Sequence, residues 1–154
     1  MSAMNRRSAL GLGAGALLTG PAFAANATTG HETHHKAAAA STGPKPWETH
    51  ADLIKVLNHC VATSEACLQH CLDAMNMGDN SLYECSQRVR ETKALCEATR
   101  TLANAGSLHF EAIAAVCNDS CKSCRSECEK HAGHHAICGT CADSCEDVIK
   151  QLEG

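Results

Sequence analysis

Cysteine sulfur dominates the chemistry this chain can perform. The 154-residue sequence holds twelve cysteines, none before position 60. Cys-x-x-x-Cys occurs at Cys67/Cys71, Cys117/Cys121, Cys124/Cys128 and Cys141/Cys145, and Cys-x-x-Cys at Cys121/Cys124 and Cys138/Cys141. On a helix both spacings set two sulfurs on adjacent turns of one face, close enough to clamp one ion. Because the motifs overlap, one thiolate can bridge two ions, and a row of ions can follow the helix axis. Soft thiolate ligands favour Cu(I), which accepts two or three sulfurs without a preformed tetrahedron.

Other sulfur chemistries fit less well. Structural zinc wants four ligands from closed knuckles, whereas these cysteines are strung along helices. The compact cysteine run of an iron–sulfur cubane is missing. A disulfide-stabilised helical scaffold, structural or chaperone-like, is the serious alternative, because the count is even. Small oxidised hairpins place two facing cysteines on each helix. Here the predicted helices carry three, two, four and three, which pairs less naturally. Cu(I) is the favoured ligand, with the disulfide, zinc and iron–sulfur readings as alternatives.

The elements that must hold these sulfurs are helical. Breakers and caps divide the chain after Pro46 into four predicted helices: Trp47 to Met75, Ser81 to Ala103, Ser107 to His131 and His134 to Leu152. Ser81-x-x-Glu84 reads as a capping box. At about 100° per residue, Cys60, Cys67 and Cys71 fall within about 40° of one another, and Cys117, Cys121, Cys124 and Cys128 within about 60°. Cys85 and Cys96 share a face with Leu82, Val89, Thr92 and Leu102. Cys138, Cys141 and Cys145 share one with Val148 and Leu152. Leu53, Leu57, Phe110 and Ile113 extend the stripes. Short connections between helices predict an antiparallel up-down-up-down four-helix bundle with a cysteine-lined core. Cysteine is smaller than leucine, so such a core leaves space that bound metal would fill.

That topology gives the two ends different chemistry. One end collects His70, Met75, Met77, His131, His134 and His135, whose thioethers and imidazoles suit capture and handover of Cu(I). Of these, His70, Met75, Met77, His131 and His134 join the twelve cysteines as expected metal ligands. The other end collects Trp47, Leu53, Leu57, Leu102, Phe110, Ile113, Val148 and Leu152, an apolar plug. His50 and His59 read as ordinary surface residues.

The N-terminal residues read differently. Residues 1–24 read as a twin-arginine-type export signal: Arg6-Arg7, a weakly apolar run from Ala9 to Thr19, and the small-x-small site Ala22-Phe23-Ala24. The expected destination is the periplasm or a membrane-associated extracytoplasmic space. Residues 25–46, with His31, His34 and His35, read as a flexible linker, and 47–154 as the metal-storage domain. Without Arg6 and Arg7 the net charge of −4 becomes about −6. An acidic chain with few aromatics is a poor partner for nucleic acid, and no membrane span is expected in the mature chain. No acid–base or nucleophile–base constellation points to an enzyme.

From residue 47 to 154 the chain resembles the exported copper storage proteins of methane-oxidising bacteria. The likeness rests on Cys60, Cys67, Cys71, Cys85 and Cys96, on Cys117-x-x-x-Cys121-x-x-Cys124-x-x-x-Cys128, and on Cys138-x-x-Cys141-x-x-x-Cys145. It implies a bundle filled with many Cu(I) ions bound mainly by thiolates. It also implies a histidine ligand at His70 and a mouth methionine at Met77. Leu82 stands where the family pattern has a further methionine. The resemblance further implies homotetramers and delivery of copper to a membrane methane mono-oxygenase.

Overall fold

The computed structural model describes residues 43–154. Among them the chain is all-helical, with five α-helices, one 3₁₀ turn and no strand: α1 (Pro46–Thr49), α2 (Ala51–Asn76), the turn Asn80–Leu82, α3 (Tyr83–Ala105), α4 (Phe110–Glu129) and α5 (Ala136–Glu153). No helix among these residues is long and apolar enough to cross a membrane. The first 42 residues, which carry the expected signal and most of the expected linker, lie outside the described part.

Most buried positions recur at alternating steps of four and three, the period of packed helices, with Thr63, Ser86, Ser120, Ala142, Ser144 and Ile149 buried beside them. On α2 they are Leu53, Leu57, Cys60, Ser64, Cys67, Cys71 and Ala74. On α3 they are Cys85, Val89, Thr92, Cys96, Thr99 and Ala103. On α4 they are Phe110, Ala114, Cys117, Cys121, Cys124 and Cys128, and on α5 Cys138, Cys141, Cys145 and Val148. Each helix therefore buries one narrow stripe and leaves its charged residues in water.

Helices α2 and α4 each pack against both α3 and α5. The pairings run in opposite chain directions. Across α2 and α3, Asn58 meets Arg100 and Glu65 meets Lys93. Across α4 and α5, Asn118 meets Glu153 and Arg125 meets Glu146. Buried hydroxyls tie the other two seams, α2 to α5 and α3 to α4: Thr63 Oγ1 donates to Ser144 Oγ at 2.7 Å, and Thr92 Oγ1 lies 2.8 Å from Ser120 Oγ.

Several boundaries differ from expectation. The first predicted helix is broken at His50, whose backbone (φ −107°, ψ 21°) is not helical. The capping box at Ser81 does not form. Asp79 caps instead, its Oδ1 accepting from the Ser81 amide at 3.0 Å and the Ser81 hydroxyl at 2.6 Å. Asp79, two residues before Ser81, is the N-cap of this turn, and aspartate is among the preferred caps. Gly106 ends α3 in the left-handed region (φ 60°), and a Cβ there would lie 2.7 Å from the Pro46 ring. Both the backbone angle and that close approach require glycine.

The apolar plug is smaller than expected. Trp47 is 51% exposed. Leu102, Ile113 and Leu152 are half-buried, and Ala103 and Ala114 take the fully inward positions beside the first two. His50 is not a plain surface residue, since its ring packs at a tilt against Phe110 with centroids 4.5 Å apart.

Candidate metal centre

All twelve cysteines are free thiols with no solvent exposure. Each helix supplies its share because cysteine occupies the steps of the inward stripe that aliphatic residues hold in an ordinary core. The sulfurs meet across helices as well as along them. Cys85 and Cys128 lie 3.6 Å apart, Cys96 lies 3.7 Å from both Cys60 and Cys117, and Cys67 lies 3.9 Å from Cys138. These are hydrogen-bonding separations, well beyond a disulfide bond of about 2.05 Å.

Five groups of three sulfurs have all members within 4.8 Å of one another: Cys67–Cys85–Cys138, Cys67–Cys128–Cys141, Cys124–Cys141–Cys145, Cys60–Cys121–Cys145 and Cys96–Cys117–Cys121. Written in this order, each triad shares one cysteine with the next. The shared residues are Cys67, Cys141, Cys145 and Cys121. This is a branched-free chain of potential three-sulfur sites, the arrangement expected of bridging thiolates. The partners, however, are not simply the local motifs. Cys117/Cys121 and Cys141/Cys145 stay together in a triad, whereas Cys67/Cys71 and Cys124/Cys128 do not. Cys71 belongs to none of the triads.

The thiols share protons through this network. Hydrogen bonding with Cys128, then with Cys138, pushes the Cys67 thiol far above its ordinary range, and burial adds to the rise. Cys85 moves the opposite way, because its hydrogen bond with Cys128 stabilises the thiolate. Cys117 is lowered to about 4 by hydrogen bonds with Cys121 and Cys96. A connected set of donors and acceptors of this kind holds some sulfurs as thiols and prepares others as thiolates, the form that binds metal.

The histidine end is built around a residue pair that sequence spacing did not single out. His70 Nε2 and His135 Nδ1 are 2.9 Å apart. His135 Nε2 lies 3.8 Å from Asp79 Oδ2. His131 stands near, its ring centroid 6.4 Å from that of His135, and it faces Glu127. Met75 is half-buried against the core. Met77 is 82% exposed and His134 is also exposed, so neither is drawn into this cluster. The chain turns between α4 and α5, and α5 begins only at Ala136. That turn brings His135, not His134, onto His70. Sequence spacing places His135 at this end, inside the fourth predicted helix, but does not count it among the expected ligands.

A surface cavity of about 530 Å³ lies elsewhere, at the plug end, lined by His50, Leu53, Phe110, Glu111 and Leu152 among others. None of its lining residues carries sulfur.

Comparison with known proteins agrees with this geometry. The family model described as "Copper storage protein" matches residues 47–153. The solved structure of a cytosolic copper storage protein from Streptomyces lividans, described as loading copper with five coppers, is similar with a TM-score of 0.62 and 25% identity. It covers 70% of this chain and 92% of its own. An uncharacterised cysteine-rich protein of Bacillus subtilis, YhjQ, is 28% identical over 102 residues, covering 55% of this chain and 94% of its own length. The Streptomyces protein is cytosolic, and this overturns the expected export to the periplasm or another extracytoplasmic space.

Proposed function

The chain belongs to the copper storage protein family, and from that premise we propose how it stores copper. The twelve interior cysteines hold many Cu(I) ions as a row of thiolate-bridged sites. The observation that carries this reading is the unbroken sharing of cysteines between successive sulfur triads. Three sulfurs within 4.8 Å of one another can surround one Cu(I), and a shared thiolate can bridge two. Storage needs no reaction at the metal, so the role is binding and release, not catalysis.

The finer parts of the reading are these. Residues 47–154 form the storage domain, preceded by a linker over 25–46, and the four long helices make an up-down-up-down bundle. The opposed cross-helix pairings support that topology. Copper enters and leaves at the end where His70, His131 and His135 gather, with Met75 beneath them. Imidazole and thioether ligands bind Cu(I) without losing a proton, which suits a transient site. Met77 and His134 would join only in an encounter with incoming copper. Assembly into homotetramers and supply of a copper-requiring membrane oxygenase rest on family resemblance. The Streptomyces relative supports a cytosolic store.

Titration of the reduced protein with Cu(I) against a competing chelator tests the reading. Uptake of several ions per chain supports storage. Saturation at one or two ions would replace it with a single-site carrier.

A further inference from the structure

Taking the storage reading as its basis, we propose that Cys141 and Cys145 on α5 form the one thiolate passage between two copper compartments. The sulfur triads divide into two groups. The group nearest the histidine end comprises Cys67–Cys85–Cys138 and Cys67–Cys128–Cys141. The group toward the plug comprises Cys60–Cys121–Cys145 and Cys96–Cys117–Cys121. Among the described residues a single triad, Cys124–Cys141–Cys145, joins them. It shares Cys141 with the first group, where Cys124 also lies 3.9 Å from Cys128, and it meets the second group through Cys145.

The reason for the narrowing is visible in the stripes. Helices α2 and α4 bury positions at the same spacing, 60, 64, 67 and 71 against 117, 121, 124 and 128. All four are cysteine on α4, but α2 has Ser64 at its second position. On α3 the two positions between Cys85 and Cys96 are Val89 and Thr92. The middle of the tube is thus sulfur on the α4 and α5 side and hydroxyl or methyl on the other. Thr92 is committed to Ser120, donating to its carbonyl at 3.1 Å. Ser64 Oγ is buried with no hydrogen-bond partner. A neutral hydroxyl is a hard, protonated oxygen and a poor ligand for a soft ion.

Transfer along the passage is ligand exchange with copper remaining Cu(I). A thiol of the next triad loses its proton and forms a Cu–S bond. A Cu–S bond to the triad behind then breaks, and the released thiolate takes up a proton. Cys141 and Cys145 are one helical turn apart and share a triad, so the ion exchanges partners without leaving sulfur.

The experiment follows Cu(I) uptake from a coloured chelate, with brief alkylation at timed intervals and peptide mass spectrometry to show which cysteines have become protected. In the unaltered protein Cys67 and Cys138 become protected before Cys96 and Cys117. In Cys145→Ser the first pair is protected at the unaltered rate. Protection of Cys96 and Cys117 slows by about tenfold or more, the factor given by a barrier increase of about 1.4 kcal/mol. Cys145→Ala removes the same sulfur, gives the same separation and serves if Cys145→Ser does not fold. Val148→Ala loosens α5 one turn beyond Cys145 without removing a sulfur, and it leaves the timing unchanged. Equal timing in the unaltered and Cys145→Ser proteins would overturn the passage. So would equal slowing by Val148→Ala, or protection of Cys96 and Cys117 first. Failure of storage itself reads differently: the unaltered protein would stop at one or two ions.

Discussion

His70 Nε2 lies 2.9 Å from His135 Nδ1, joining the last turns of α2 to the residue that opens α5. The two residues are 65 apart in the chain, and each sits within three positions of a core cysteine, Cys71 and Cys138. The paired imidazoles are part-buried, at the end where copper is proposed to enter. If they pass copper inward, their loss changes rate before capacity. His135→Ala is expected to slow Cu(I) uptake several-fold while leaving the final number of bound ions within one of the unaltered protein. His59→Ala, which alters an exposed ring away from this end, leaves the rate unchanged. Stopped-flow uptake from a chelate distinguishes them, and equal effects of both would remove His135 from the entry path.

Loading should also be acid-sensitive, and the sign follows from the thiols. Cys67 is held protonated well above the ordinary thiol range, chiefly by its hydrogen bond with Cys128. Copper must displace that proton. A lower pH therefore opposes binding, by about tenfold in affinity per pH unit for each proton released. Cys117, lowered to about 4, is already a thiolate at neutral pH and contributes no proton there. Its partners Cys96 and Cys121 are both raised by hydrogen bonds with Cys117, so that triad releases up to two protons where three thiols would release three. Proton release measured in weak buffer during loading checks this. Loading that releases no protons between pH 6 and 8 would contradict it.

The buried hydroxyl seams make a stability prediction. Thr92 Oγ1 reaches both the carbonyl and the hydroxyl of Ser120, tying α3 to α4. Thr92→Val keeps the shape but removes these bonds and leaves Ser120 Oγ without this partner. A loss of about 1–2 kcal/mol in apo stability is expected. Urea unfolding of the reduced metal-free protein measures it, and an unchanged midpoint would show the seam to be energetically idle.

Much of this organisation was legible because cysteine replaces aliphatic residues without disturbing the helical period. The stripes through Cys60, Cys67 and Cys71, and through Cys117 to Cys128, needed only that period to be seen. Partner choice was less visible. Cys67 shares triads with Cys85, Cys138, Cys128 and Cys141 but not with its local partner Cys71, because helix rotation and stagger decide which sulfurs meet. The histidine end was hardest to read, since angular reasoning fails where α4 gives way to a turn. His135, and not the expected ligand His134, meets His70 for that reason. The cap moved from Ser81 to Asp79 because a carboxylate two residues earlier competes for the same amide. The location of the chain was misread from its first residues, and the cytosolic relative supplied the correction.

Ser64 offers a sharper test of how the middle of the tube is made. Its Oγ is buried and accepts or donates no hydrogen bond, while its neighbour Thr63 is fully engaged with Ser144 and the carbonyls of His59 and Cys60. An unpartnered buried hydroxyl is destabilising by about 1–3 kcal/mol relative to a group with no hydrogen-bonding need. Ser64→Ala removes that penalty and only a single oxygen of packing. The metal-free protein is therefore expected to gain about 1 kcal/mol, the low end of that range, because the oxygen's packing contacts are lost with it. Thr63→Val, one position earlier, is expected to lose stability. Opposite shifts of the two urea midpoints support the assignment. A destabilised Ser64→Ala would mean that the hydroxyl has a partner in solution, and a candidate would be a thiolate of the neighbouring triads.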